Sequence, residues 1–276
     1  MVKRTGKYEL ISLYAFLAVC LVSTLLPFIW MFSTSFKGAA EIFTKSPVFI
    51  PGSPTLQNYR ELFSRLDFLT HFFNSVIVAL GLTLLSLLVN ALAAFAFAKL
   101  NFAGREKIFS LLLLTMMVPG QVTMMPVFII LKSLGLLNSY LGLIIPGCAS
   151  IFAIFMLRQF MRDIPDELID AARIDGCGDF RVFFNIVLPL CKPALVTLLI
   201  FNFMGAWNEF LWPLIIMIKE EKYTLPVALA NLNGQFGTDW GILMAGSVVV
   251  VAPVIIVFLM AQKHYIEGIT AGAVKG

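Results

Sequence analysis

Charge is scarce in this chain: Asp, Glu, Lys and Arg make up 13% of its 276 residues, against 59% hydrophobic ones, and the mean hydropathy is +0.91. Soluble domains do not have this makeup, so the chain belongs in a bilayer. Histidine is rarer still. The two present, His71 and His264, stand in separate regions, which excludes a His-rich metal site. The four cysteines, Cys20, Cys148, Cys177 and Cys191, contain no CxxC pair and read as packing residues. A GxxxxGK[ST] phosphate loop is missing, so nucleotide is not bound in that manner, and so is any HExxH or GxSxG constellation that would suggest an intramembrane enzyme. No catalytic residue is assigned. No internal repeat or low-complexity linker divides the sequence, and a single membrane domain over residues 1–276 is expected.

What the chain has in abundance is long apolar runs. A membrane-crossing helix needs about 20 mainly apolar residues, and five stretches supply them, near 10–34, 74–98, 140–160, 193–218 and 242–262. A sixth, near 108–131, is interrupted by Pro119-Gly120-Gln121 and Pro126. The run from Leu10 to Phe32 is too long for a signal-peptide core and closes on no small-x-small site, so it reads as a retained first helix. With six spans and the N-terminus inside, thirteen of the 20 Lys and Arg fall on the cytoplasmic side and seven on the other. That bias places both termini in the cytoplasm.

Several segments carry further information. Between about 37 and 72, Pro47, Pro51, Gly52 and Pro54 break an external stretch before an amphipathic run from Leu56 to Phe68 expected on the outer surface. Ala91, Ala93, Ala94, Ala96 and Ala98 suit close helix packing in lipid. The interruption at Pro119 reads either as a tolerated kink or, through Gln121, as a substrate contact. Polar groups at membrane depth face a cavity or a partner. Asn202, Trp207, Asn208 and Glu209 on the fifth span therefore form, with Gln121, a candidate path for a hydroxylated solute. Helix-to-helix bonding is the competing reading.

The most distinctive segment is a charged interruption at 162–190. Pro165 suits the first turn of a helix, and Asp166 and Glu167 suit its positive end. Leu168, Ala171, Ala172 and Asp175 follow at helical spacing, and Gly176 stands where a left-handed residue ends a helix. Asp179 is expected to cap a second run, Phe180 to Val187, which Pro189 breaks. Two short helices about a glycine turn make a docking shape, with the paired alanines allowing close approach. A merely solvated connection is the bland alternative.

The spacing Asp170-Ala171-Ala172, three residues, Gly176, nine residues, Ile186, one residue, Leu188-Pro189 resembles the EAA loop of ABC importer permeases, with aspartate at 170 in place of glutamate. Gly205-Ala206-Trp207-Asn208-Glu209-Phe210, Leu225-Pro226-Val227-Ala228-Leu229 and the terminal run Gly268 to Gly276 are similar to segments of carbohydrate-uptake permeases, above all the six-helix subunit of the maltose type. The resemblance covers nearly the whole chain. It implies an all-α integral membrane protein with the six-helix type I importer fold, in the inner membrane of a bacterium or archaeon. It further implies ATPase coupling through Glu167, Asp170, Ala171, Ala172, Asp175, Gly176, Leu188 and Pro189. A tail at 263–276, with Gly272, Lys275 and Gly276, would contact the ATPase unless it is a frayed end. The implied partners are a second permease in a heterodimer, two cytoplasmic ATPase subunits carrying ATP-Mg, and an extracytoplasmic solute-binding protein. No cofactor on this chain and no nucleic acid are implied. A self-contained secondary transporter or channel is the rival class. It would need an intramembrane relay, for which acidic residues other than Glu209 are few.

Overall fold

A computed structural model of the chain describes residues 7–44, 48–65, 67–235 and 239–273. Lys3, Arg4 and Lys45, counted in the charge bias, together with Pro47 of the external stretch and Val274, Lys275 and Gly276 of the tail, lie outside the described residues. Among the described residues every regular element is helical. In order they are α1 (Lys7–Ser35), α2 (Ala39–Ile42), α3 (Gln57–Arg65), α4 (Phe68–Lys99), α5 (Arg105–Thr115), α6 (Gly120–Ser133), α7 (Tyr140–Gly147), α8 (Ile151–Arg162), α9 (Asp166–Ile174), α10 (Asp179–Val182), a π-helical turn (Phe183–Val187), α11 (Leu188–Leu190), α12 (Lys192–Asn208), α13 (Leu211–Ile216), a 3-10 turn (Glu220–Lys222), α14 (Leu225–Gln235) and α15 (Trp240–Ala273).

Three segments, Tyr8–Ser35, Phe68–Lys99 and Trp240–Met260, are long and apolar enough to cross a membrane unbroken. The others are bent pairs: α5 and α6 at 102°, α7 and α8 at 47°, and the run Asp179–Leu190 with α12 at 81°. Counting each pair as one span gives six. The expected stretch 140–160 therefore contains a break, as 193–218 does between α12 and α13, and the break in the first has a visible cause. Asn90 of α4, fully buried, reaches the gap between α7 and α8. Its Oδ1 accepts from the Ser150 N–H (2.9 Å) and its Nδ2 donates to the Cys148 carbonyl (3.3 Å). Irregular backbone at membrane depth is tolerated where protein groups satisfy it, and one amide side chain supplies both a donor and an acceptor here.

The chain forms two compact units. The first comprises Met1–Phe68 and Leu229–Ala252. Within it, Asn58 of α3 donates to the carbonyls of Ser35 (2.9 Å) and Lys37 (2.8 Å), tying the end of α1 to α3. Asn58 also explains Gly241 at the start of α15, where a Cβ would fall 2.5 Å from the Asn58 Oδ1. Lys37 is buried just past α1, donates to the Val48 carbonyl and lies 4.1 Å above the Trp30 ring. Burial holds its ammonium below the ordinary lysine pKa, with the Glu41 charge opposing.

The second unit comprises Leu69–Ala228 and Pro253–Gly276. Its larger core cluster gathers Ala91, Ala94 and Phe95 of α4, Phe109 of α5, Ala153, Leu157 and Met161 of α8, and Ala194 and Leu198 of α12. The small side chains at 91, 94, 153 and 194 let apolar helices approach where lipid offers no hydrophobic drive. The same cluster includes Ile169, Ala172, Val182, Phe183 and Val187, so the polar interruption is rooted in the core of this unit. A second cluster joins Val78, Leu131, Leu143, Ile216 and Met217.

Candidate functional site

The interruption folds as two short helices about a glycine turn. Pro165 stands one place ahead of α9 rather than within it, with the extended ψ of 134° that a helix-entry residue takes. The exit is a Schellman closure: Cys177 N–H donates to the Ala172 carbonyl (2.9 Å) and Gly176 N–H to that of Arg173 (3.0 Å). Gly176 has φ +83°, a conformation that costs other residues strain, and nothing lies within 4 Å of where its Cβ would be. Asp179 does not cap the second run. It is the first residue of α10, and its carboxylate accepts from Arg173 at 3.0 Å. Nor does Pro189 end that run, which continues through α11 to Leu190. A proline crowds the carbonyl four residues earlier, here Asn185, and the wide π-helical turn falls at that place.

The two alanines face opposite ways. Ala172 is buried with Ile169, whereas Ala171 is exposed together with Glu167, Leu168, Asp170, Asp175 and Gly176. Ile174 is 86% and Phe180 75% exposed, an unusual display for large apolar side chains on a polar segment. Leu188 is half-buried and Pro189 exposed.

Lys99, at the end of α4, anchors the N-terminal end of α9. Its side chain is 4% exposed, and Nζ donates to the Ile164 carbonyl and to Asp166 Oδ1, each at 2.6 Å. The hydrogen bond and charge of Lys99 hold the Asp166 carboxyl below its ordinary pKa. Sequence reasoning missed this contact because a basic residue closing a membrane span is ordinary and its partner lies 67 residues away.

A second feature is a cavity of about 360 Å³ lined by Gln121, Thr123, Met124, Leu143, Glu209 and Trp212, among others. Two of its walls are helix breaks. One is Pro119-Gly120 between α5 and α6. The other is Glu209-Phe210 between α12 and α13, where Glu209 has left the helix (ψ 123°) and its Oε1 accepts from the Trp212 N–H at 3.1 Å. The Trp212 indole donates to the Gly142 carbonyl at 3.2 Å, pinning α13 to α7. The lining is mostly apolar with a few convergent polar groups, the usual character of a small-molecule site.

The structure brings Gln121 and Glu209 of the candidate path to this cavity and leaves the other three outside its lining. Asn202 donates to Ser86 Oγ (3.1 Å), which also accepts from Asn90 (2.7 Å), a helix-to-helix network. Trp207 is 2% exposed and packs against Phe72 and Phe203 with ring centroids 5.8 Å away in each case. Asn208 donates back to the Met204 carbonyl at 2.8 Å. Trp212 and Thr123 were not expected; an unbroken helix through 193–218 gives no reason to single out Trp212. Gly272 falls in the last turn of α15.

The fold and the loop define a helical, multi-pass membrane permease. The chain belongs to the family described as "Binding-protein-dependent transport system inner membrane component", whose pattern matches residues 83–269. It is 37% identical over 266 residues to the arabinooligosaccharides transport system permease protein AraQ of Halalkalibacterium halodurans, covering 95% of this chain and 94% of that one. It is 33% identical over 269 residues to the lactose transport system permease protein LacG of Rhizobium radiobacter, covering 98% and 95%. In solved structures it resembles a chain of a bacterial ABC transporter involved in the import of the acidic polysaccharide alginate, with TM-score 0.87 and 25% identity over 96% of this chain and 99% of that one.

Proposed function

We propose that this chain is the permease subunit of an ATP-driven importer for a sugar or related polyhydroxy solute, driven through the loop at 162–190. The observation that carries the reading is that the EAA-like spacing falls on a helix rooted in the core on one side and exposed on the other. Ile169 and Ala172 transmit movement inward, while Glu167, Asp170, Ala171, Asp175 and Gly176 face a partner. The partners are two ATPase subunits that carry ATP-Mg, a second permease, and an extracytoplasmic solute-binding protein, the last supported by the binding-protein dependence in the family description. Both termini and the loop are assigned to the cytoplasmic side, and the tail contact with the ATPases is assigned to Gly272, Lys275 and Gly276, the last two outside the described residues. The sugar class is supported by relatives whose names specify arabinooligosaccharides, lactose and diacetylchitobiose.

Isolation of the chain from its native membrane in mild detergent tests the assembly. ATP-hydrolysing subunits are expected to co-purify, and recovery of the chain without them overturns the reading.

Glu209 and Trp212 give the solute its polar and aromatic contacts in the cavity. Glu209→Gln retains an oxygen to cap Trp212 but removes the charge. Hydrogen bonds to charged groups contribute about 1.5–3 kcal/mol, so uptake at saturating binding protein is expected to fall about tenfold at unchanged expression. Unaltered uptake would remove the cavity from the solute path.

A further inference from the structure

Three membrane segments have ends on one polar hollow: α4 finishes at Lys99, α5 begins at Arg105 and α8 finishes at Arg162. The hollow has a volume of about 450 Å³ and is lined by Lys99, Arg105, Arg162 and Arg173 together with Asp166 and Asp170. Four cations thus face two carboxylates.

The pairing within the hollow leaves positive charge unspent. Asp166 is taken by Lys99 at 2.6 Å. Asp170 is 3.9 Å from Arg173, whose stronger partner is Asp179 at 3.0 Å, outside the lining. Arg105 donates through Nε to Glu106 (3.2 Å) and through Nη1 to the Leu100 carbonyl (3.0 Å). Arg162 is exposed and makes no hydrogen bond or ion pair among the described residues.

We propose that this hollow binds a phosphate group, held chiefly by the guanidinium of Arg162 with Arg105 and Arg173. Guanidinium forks match phosphate oxygens two at a time, and the unpaired Arg162 beside Arg105 and Arg173 supplies positive charge for one phosphate. The hollow lies where apolar spans give way to polar loops, and basic pockets between helix ends at headgroup depth attract anionic lipid. The phosphodiester of an anionic phospholipid is therefore the favoured source, and free phosphate the other. Because Asp166, Asp170 and Arg173 belong to α9, a bound phosphate cross-links the docking helix to the ends of α4 and α8 and restrains its movement. The proposal concerns this chain's own residues and stands whether or not the importer reading does.

The full chain, with whatever subunits accompany it, is reconstituted in phosphatidylcholine nanodiscs containing a minor fraction of phosphatidylglycerol, and retained lipid is counted by native mass spectrometry. Wild type is expected to retain phosphatidylglycerol about tenfold more than Arg162→Gln, the discrimination a charge-assisted bidentate contact supplies. Lys132→Gln, which removes an exposed cation elsewhere, should match wild type. In pure phosphatidylcholine, retention of added inorganic phosphate by wild type and its loss in Arg162→Gln would assign the same site to the soluble source. Equal retention of both probes by wild type and Arg162→Gln, or equal loss in Arg162→Gln and Lys132→Gln, overturns the proposal. Arg162 is exposed, so the variant should keep the wild-type thermal midpoint. A lowered midpoint accompanied by unchanged retention would count against the site equally.

Discussion

Gly176→Arg is expected to insert in the membrane at the wild-type level, to reduce solute uptake to background and to lose the co-purifying ATPase subunits. Two effects combine at this position. The backbone sits at φ +83°, where a residue with a Cβ pays roughly 1–2 kcal/mol, so the Schellman closure that ends α9 is weakened. The site is also open, with nothing within 4 Å of a Cβ, so a long side chain projects outward, where the partner is proposed to seat. Gly176→Asn separates the two, because asparagine tolerates the left-handed conformation better than other residues with a Cβ. The closure is expected to survive in Gly176→Asn, with ATPase subunits retained more fully than in Gly176→Val. Normal uptake by Gly176→Arg would end the coupling assignment, whereas failure of insertion would show that the turn serves folding instead. The effect is large because Ala172, four residues before this glycine, lies in the core: a displaced α9 exit disturbs the contact surface and its root together.

Arg158→Met is expected to lower the thermal midpoint in detergent by roughly 3–10 °C. Arg158 is 5% exposed on α8, and its side chain joins three helices. Nε donates to the Phe97 carbonyl at the end of α4 (3.1 Å), Nη2 reaches both oxygens of Glu106 on α5 (2.7 and 2.9 Å), and the guanidinium stacks 4.0 Å from the Phe109 ring. Methionine fills much of the volume but leaves the buried Phe97 carbonyl unpaired, a cost of about 1–3 kcal/mol, which corresponds to that midpoint range for a chain of this size. Glu106 is largely exposed and is rehydrated when the arginine is removed, so its share is small. Arg158→Lys should recover only part of the loss, since an ammonium cannot reproduce the forked geometry. An exposed cation on the docking loop, Arg181, provides the comparison: Arg181→Ala is expected to leave the midpoint unchanged. A midpoint in Arg158→Met equal to wild type would show that the three helices are held by apolar packing alone.

The first helix of the docking loop and its glycine exit were legible because their signals are local. Proline ahead of an acidic first turn, a nine-residue amphipathic stretch and a glycine at the helix exit act through backbone dihedrals and neighbouring hydrogen bonds, which the order of residues specifies. The cavity was legible only in part. Gln121 and Glu209 stood out as polar groups in apolar runs, but so did Asn202 and Asn208, and nothing along the chain distinguishes a polar group that faces a hollow from one that bonds a neighbouring helix. Asn202 meets Ser86 across 116 positions, and that distance in sequence is what hides its role. Trp207 looked like a sugar platform beside Asn208, yet Phe72 and Phe203 enclose it.

By itself, then, the order of residues determined that the chain is a membrane protein with six apolar segments, where its polar loop lies, and how the first helix of that loop starts and stops. Each of these follows from composition or from contacts within one helical turn. Apart from the break that Pro119 announced, tertiary structure decided where spans bend, because a break at membrane depth survives only where a distant group such as Asn90 satisfies the freed backbone. It likewise decided that Ala172 faces the core while Ala171 faces out, and that Lys99 holds Asp166 to the end of α4. Those outcomes depend on which surfaces meet, and burial is a property of the neighbour as much as of the residue.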